Sequence, residues 1–201
     1  RTLIVAVVVV AVLLVGNYVL DRFFGLSPIE KEARSYESAG DQYLRNNELD
    51  KAIPEYEKAV AVMPELAEGH LTLGVLYEIK GDAEKSKQAF GNAEALYSDR
   101  HDYLVALASA YQAVGQLDKA MAAVTEAITL KPQSPRAIFV RGGIYEAKGS
   151  YSEAIADFDT ASTLAQEQGE DALYVLAKTR MGMLLQSGPP RSLPTEPSSG
   201  S

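Results

Sequence analysis

A repeat of 34 residues is the sequence feature that most constrains this chain. Four tyrosines recur at that interval without insertion or deletion, namely Tyr43, Tyr77, Tyr111 and Tyr145. Three positions before each tyrosine there is a small residue: Gly40, Gly74, Ala108 and Gly142. Thirteen positions after each tyrosine there is a large hydrophobic residue: Tyr56, Phe90, Val124 and Phe158. A period of 34 with this pattern of small and large residues is typical of stacked helix–turn–helix units.

Two further rows of small residues follow the same period. The first row consists of Ala52, Ser86, Ala120 and Ala154, and the second consists of Ala59, Ala93, Ala127 and Ala161. Small side chains allow two helix axes to approach closely. The sequence therefore predicts a close helix pair in each unit, with the tyrosine row and the Tyr56 row filling the space that remains.

The ends of the predicted helices are marked by residues with special backbone preferences. Gly81, Gly115 and Gly149 lie where the first helix of a unit must end, a position that favours the left-handed conformation. Asn47 occupies the equivalent position in the first unit and has similar turn chemistry. Pro64 and Pro132 are expected to close two of the second helices, whereas Ser98 and Gln166 occupy the same position in the other two units.

Over residues 33–166 the pattern resembles the tetratricopeptide repeat (TPR) family. The usual tryptophan near the repeat start is replaced by Tyr36, His70, Leu104 and Ile138. The resemblance implies an all-α fold in which four helix–turn–helix repeats form a right-handed superhelix. The predicted repeats are 33–66, 67–100, 101–134 and 135–168.

The N-terminal segment predicts a membrane anchor. Residues Thr2 to Leu20 carry no charge, and 19 helical residues would span about 28 Å, close to the hydrocarbon thickness of a bilayer. We therefore expect a transmembrane helix within residues 1–24. The alternative is a cleavable signal peptide, for which Val15-Gly16-Asn17 is a weak cleavage site. A short joint over 25–32 follows, in which Ser27 is expected to cap the next helix.

A further helix is predicted after the fourth repeat, over residues 169–187. Leu173, Leu176, Ala177, Met181 and Leu184 recur at helical spacing between Glu170 and Gln186. The last repeat of an array needs a cover for its apolar face, so this helix is expected to be a cap. A partner-binding surface formed by Met181, Met183, Leu184 and Leu185 is the alternative. Residues 188–201 are rich in Ser and Pro, which predicts a disordered or extended tail.

Charge and composition argue against two classes of function. The formal net charge is −8, and there is no Lys/Arg cluster, which argues against nucleic acid as a partner. The chain contains no cysteine, so thiol catalysis, thiolate metal sites and disulfides are excluded.

No pattern of catalytic or metal-binding residues is present in the sequence. His70 is expected to be a core histidine and His101 to lie in a turn beside Asp102, and neither has a metal-ligand partner at helical spacing. The acid pairs Asp157/Asp159 and Glu30/Glu32 are expected to be solvated. We therefore predict a protein that is not an enzyme and that has no cofactor and no metal site.

The family resemblance implies a concave groove built from the first helix of each repeat. The candidate protein-binding residues are Glu37, Asp41, Leu71, Val75, Val105, Ser109, Arg136, Phe139 and Gly143. Four of them are expected to form an exposed apolar patch: Leu71, Val75, Val105 and Phe139. The alternative is that some of these side chains pack between repeats. Glu37 and Asp41 have the wrong charge for the clamp by which some TPR domains bind C-terminal carboxylates, and Thr72, Asp102 and Ala106 also differ from it.

The expected function is that of a membrane-anchored TPR adaptor, scaffold or assembly factor that binds a protein partner beside the bilayer. The alternative is a permanent structural subunit of a membrane protein complex. Arg22, Lys31 and Arg34 follow the apolar run and only Arg1 precedes it. This distribution of positive charge favours a cytoplasmic or stromal location for the repeats.

Overall fold

Nine α-helices make up the part of the chain that the computed structural model describes, residues 27–187. They are α1 (Pro28–Arg45), α2 (Leu49–Val62), α3 (Ala67–Lys80), α4 (Ala83–Leu96), α5 (Arg100–Ala113), α6 (Leu117–Leu130), α7 (Pro135–Ala147), α8 (Tyr151–Gln168) and α9 (Asp171–Ser187). The predicted membrane anchor and the predicted Ser/Pro-rich tail lie outside the described residues. None of the nine helices has both the length and the hydropathy that a bilayer-spanning helix requires.

The helices form pairs that stack in chain order. The pairs α1/α2, α3/α4, α5/α6 and α7/α8 have the most extensive contacts, and α9 packs on α8. The first helices of successive pairs also contact one another, α3 with α5 and α5 with α7. The all-α helical repeat fold is therefore confirmed for residues 27–187. This stacking places the first helices side by side, where they can form one continuous surface.

The start of α1 confirms the predicted helix cap. The Ser27 side chain accepts a hydrogen bond from the Glu30 backbone amide at 3.1 Å, and the Glu30 carboxylate accepts one from the Ser27 amide at 2.7 Å. Pro28 occupies the first helical position, where its missing N–H removes no intrahelical bond. The hydrogen bonds from Ser27 also lower the pKa of Glu30. Helix α1 therefore begins at a well-defined residue.

The turns between paired helices depend on one left-handed residue in each repeat. The φ angles are 59° at Asn47, 78° at Gly81, 74° at Gly115 and 78° at Gly149. These four positions are 34 residues apart, as predicted. Glycine adopts this conformation without a Cβ clash, and asparagine tolerates it better than most other residues.

Within each pair, a small residue on the first helix lies against a large one on the second. A Cβ atom added to Gly40, Gly74 or Gly142 would lie 2.6–2.9 Å from the ring of Tyr56, Phe90 or Phe158. In the third pair the two positions hold Ala108 and Val124, and both are fully buried. Where alanine replaces glycine on the first helix, valine replaces the aromatic residue on the second helix. The predicted close approach is confirmed, and it depends on matched volumes.

The repeated tyrosines lie at the edge of the helix pairs. The ammonium groups of Lys51, Lys85 and Lys119 lie 5.0–5.7 Å from the ring centroids of Tyr43, Tyr77 and Tyr111, respectively. The Tyr111 hydroxyl donates to Glu78 of the preceding repeat at 2.9 Å. Tyr43 and Tyr77 are partly buried, and Tyr111 is buried.

Helix α8 is longer than the other second helices, and it ends at Gly169. Helices α2, α4 and α6 end at Val62, Leu96 and Leu130, which are 34 residues apart. Helix α8 continues four residues beyond the equivalent position, to Gln168. Gly169 then adopts a φ of 74° and turns the chain into α9.

Helix α9 covers part of the fourth repeat and leaves an apolar outer face. Ala177 is fully buried in a cluster with Ile138 and Ala161, against which Phe139 and Leu164 also pack. The apolar side chains that remain exposed on α9 are Val175, Leu176, Met183 and Leu185. The helix therefore contributes to the core through one narrow face.

One of the acid pairs differs from the prediction. Asp157 is buried rather than solvated, and its carboxylate accepts two hydrogen bonds from the Arg141 guanidinium at 2.7 and 2.8 Å. This bidentate pair links α7 to α8 inside the fourth repeat. The spacing of two residues from Asp159 gave no indication of this partner, because the partner belongs to another helix.

Candidate protein-binding groove

A groove of about 440 Å³ runs across the first helices of all four repeats. It receives side chains from α1, α3, α5 and α7, together with Tyr56 of α2 and Tyr97 at the end of α4. The parts of its wall that solvent reaches include Ala106, Ser109, Ala113 and Val140. The groove is thus a continuous surface made by equivalent helices, the first helices of the four repeats.

The groove brings together six of the nine candidate residues. These are Glu37, Asp41, Leu71, Val105, Ser109 and Arg136. The other three, Val75, Phe139 and Gly143, do not line it. Six of the candidates therefore share one groove, but the resemblance does not determine which side chains on that face are accessible.

The predicted exposed apolar patch is wrong. Leu71 and Val75 have no exposed surface, and Val105 is 4% exposed. All three belong to the core cluster that joins the second and third repeats. Leu71 and Val105 therefore support the floor of the groove from below, and Val75 contributes only to packing between repeats.

Phe139 and Gly143 lie nearer the C-terminal end of the array. The Phe139 ring packs against Phe158 with a centroid distance of 5.2 Å and is only partly exposed. It also lines a second cavity of about 640 Å³ with Leu173 and Leu176 of α9. A Cβ atom on Gly143 would lie 2.9 Å from the Gln112 amide nitrogen, so this glycine faces α5.

The charged residues of the groove follow the 34-residue register. The equivalent positions on α1, α3, α5 and α7 hold Arg34, Glu68, Asp102 and Arg136. Arg34 is paired with Glu37 at 2.8 Å, whereas Glu68 and Arg136 are exposed and form no ion pair among the described residues. The Asp102 carboxylate is 52% exposed. The middle of the groove is therefore acidic, and the exposed cation Arg136 lies at its C-terminal end.

Comparison with protein families supports the repeat assignment. A family described as TPR repeat matches residues 40–81, and one described as tetratricopeptide repeat matches residues 105–173. The chain contains tetratricopeptide repeats. Comparison with curated protein sequences gives no significant match.

Solved TPR structures resemble the chain at low sequence identity. A crystal structure of MamA protein is 19% identical with a TM-score of 0.36, covering 82% of this chain and 99% of that one. Pseudomonas aeruginosa PilF is 16% identical with a TM-score of 0.41, covering 78% of this chain and 78% of that one. The TPR2AB domain of yeast Sti1, described in complex with an Hsp90 peptide, is 20% identical with a TM-score of 0.37. The match covers 76% of this chain and 72% of that one.

The two histidines of the TPR array have structural contacts. His70 is buried, and its Nε2 lies 2.9 Å from the Pro64 carbonyl oxygen, which confirms the predicted core role. His101 is buried in α5 rather than lying in a turn, and its Nδ1 is 2.8 Å from an Asp102 carboxylate oxygen. Among the described residues, no group of three His, Asp or Glu side chains is arranged to hold a metal ion.

Glu68 and Tyr97 are among the groove residues that are absent from the sequence-based candidates. Glu68 could have been found from the register, since it is equivalent to Arg34 and Arg136. Tyr97 could not, because it lies just after α4 and outside the repeating pattern. Its hydroxyl is buried and has no hydrogen-bond partner among the described residues. Burial raises the pKa of this hydroxyl, as does the nearby Glu68 carboxylate, so the group stays protonated.

Proposed function

We propose that this protein is a membrane-anchored TPR adaptor, scaffold or assembly factor that holds a protein partner in its concave groove. The observation that carries the proposal is the groove itself, which is lined by the first helices of four consecutive repeats. TPR proteins generally act as scaffolds for protein interactions. An open groove that carries both charged and apolar side chains suits an extended or helical peptide segment better than a small substrate.

A photo-crosslinking experiment tests where the partner binds. Ser109 is exposed in the groove, and Ser152 is exposed at the start of α8 outside it. A benzophenone amino acid introduced at each position should behave differently in cells. We expect a cross-linked protein adduct from position 109 and none from position 152, as measured by mass-shifted bands after irradiation.

The matched position distinguishes contact in the groove from general proximity. Equal adducts at both positions, or an adduct at 152 alone, would show that the partner binds elsewhere. Native mass measurement of a detergent extract then separates the two kinds of scaffold. A constant stoichiometry would indicate a permanent subunit, whereas a substoichiometric complex would indicate an assembly factor.

We also propose that Thr2–Leu20 anchors the protein in a membrane. The support is the uncharged apolar run, which is long enough to cross a bilayer. Each Asp at the centre of a membrane-spanning helix costs about 2.5–3.5 kcal/mol of insertion free energy. The double variant Val9→Asp/Leu13→Asp should therefore leave the membrane fraction during alkaline carbonate extraction, while wild type and the apolar control Val9→Leu/Leu13→Val remain there.

Retention of the Asp variant in the carbonate-washed pellet would contradict the anchor. The same membranes test the orientation of the protein. Arg22, Lys31 and Arg34 favour a cytoplasmic or stromal position for the repeats. Protease added to sealed vesicles of known orientation should then digest the repeats only where the cytoplasmic or stromal face is outside.

A further inference from the structure

We propose that the groove selects a positively charged, extended peptide segment, with Glu68 and Asp102 as the residues that bind its lysine or arginine side chains. This inference rests on the proposed function, because it names the chemistry of the partner that the groove would hold. It separates this protein from TPR domains that bind a carboxylate through a basic clamp.

The positions of the carboxylates support a cationic ligand. Glu68 and Asp102 are equivalent residues of successive repeats, and the helices that carry them, α3 and α5, pack against each other. Both side chains are exposed and line the same groove. Glu37, which is paired with Arg34, and Asp41, which accepts a hydrogen bond from Tyr56, line the groove further toward α1. In a cleft with apolar walls, such charges act more strongly on a ligand than on an open surface.

Other residues of the same groove suit the stems of lysine and arginine side chains. Ala106 and Val140 are partly exposed on α5 and α7, and Ala113 is exposed at the end of α5. Lysine and arginine bury their methylene groups along apolar surface while their charged ends remain polar. An extended peptide in the groove could therefore place its side-chain stems on these residues and its cationic groups near Glu68 and Asp102.

The Tyr97 hydroxyl is a second, independent indication of a ligand. The Tyr97 side chain is partly exposed at the groove, its hydroxyl oxygen is buried, and none of residues 27–187 forms a hydrogen bond with that oxygen. A buried hydroxyl without a partner costs free energy. A peptide main chain in the groove carries carbonyl oxygens that could accept a hydrogen bond from Tyr97 after a small side-chain movement.

Arg136 marks the end of the acidic region. It is exposed, has no ion-pair partner among the described residues and lies at the α7 end of the groove. A cationic side chain would be repelled there. Neutralising it by Arg136→Gln is therefore expected to leave the affinity for a cationic peptide unchanged or to increase it.

The test is a binding assay with the full chain in a neutral detergent. The probe is a fluorescein-labelled decapeptide of alternating Lys and Ala, compared with Gln/Ala and Glu/Ala peptides by fluorescence anisotropy. We expect the Lys/Ala peptide to bind at least about tenfold more tightly than the other two, with an affinity that falls as salt increases. The double variant Glu68→Gln/Asp102→Asn should lose that preference.

The control is Glu84→Gln/Glu153→Gln, which removes two exposed carboxylates that lie outside the groove. It changes the net charge equally and should bind the Lys/Ala peptide within about twofold of wild type. Thermal melts recorded by circular dichroism establish that both variants are folded. Equal losses in the two double variants would show non-specific attraction to an acidic protein and would overturn the inference.

The inference also fails if the Lys/Ala peptide does not bind, or if it binds wild type and Glu68→Gln/Asp102→Asn equally. A partner adduct at position 109 in the same protein would then show that the groove binds a partner of different chemistry. Without that adduct, the proposed function itself would fail. The two experiments therefore distinguish an incorrect partner class from an incorrect site.

Discussion

Replacing Gly74 with alanine should destabilise the second repeat, although alanine is the better helix former. The new Cβ atom would lie 2.6 Å from two carbon atoms of the partly buried Phe90 ring, which packs from α4 against α3. Overpacking of this kind typically costs about 1–3 kcal/mol of unfolding free energy. Urea denaturation of the full chain in detergent, followed by circular dichroism, measures the change.

Gly91 provides a matched control for the effect of alanine on the helix. It lies in α4, is exposed, and has no atom within 4 Å of the position that a Cβ would take. Gly91→Ala should therefore stabilise the protein by about 0.5–1 kcal/mol. If Gly74→Ala had the same stabilising effect, the helix pair would accommodate a Cβ atom beside Phe90, and the expected overpacking would be wrong.

A second substitution should rescue the first. Phe90→Val in the Gly74→Ala background recreates the Ala108/Val124 pair of the third repeat. Phe90→Val alone should create a cavity and cost about 2 kcal/mol, whereas the double variant should be more stable than the sum of the single changes predicts. Strict additivity would contradict the matched-volume interpretation.

Removing α9 should have the other large effect on stability. A chain that ends after Gly169 would uncover Ile138 and Leu164 and lose the contacts of Ala177. It would also lose the ion pair between Arg180 and Glu146, which has an N–O distance of 2.6 Å. We expect the melting temperature to fall by at least about 5 °C, equivalent to roughly 2 kcal/mol in a protein of this size.

The control for this experiment ends after Ser187 and retains the whole helix. It should melt within about 1 °C of the full chain, since only residues that follow α9 are removed. An unchanged melting temperature in the shorter truncation would show that α9 is not a cap. That result would favour the alternative, in which exposed apolar residues of α9 form a partner-binding surface.

The local signals in the sequence predicted the helices and their turns well. Asn47, Gly81, Gly115 and Gly149 each adopt the left-handed conformation that their positions require. Ser27 caps α1 because its hydroxyl and the Glu30 carboxylate are only three residues apart. Such features depend on neighbouring residues alone, so a single sequence is enough to predict them.

Pro54 shows where local rules are insufficient. It lies inside α2, where a proline removes a backbone hydrogen bond and usually ends or kinks a helix. The helix continues because Ala52, Tyr56 and Ala59 on either side are buried against the neighbouring helices. Tertiary packing outweighs the local cost, and that packing energy is not visible in the residues around Pro54.

The accessibility of the groove residues could be decided only by the tertiary structure. The 34-residue period determined by itself that four helix pairs stack and that their first helices share one face. Which side chains on that face reach solvent depends on how closely adjacent first helices approach. That approach buries Leu71, Val75 and Val105 and leaves Glu68, Asp102 and Arg136 exposed at the groove. Likewise, Asp157 pairs with Arg141 because two helices bring them together, although the residues are 16 positions apart.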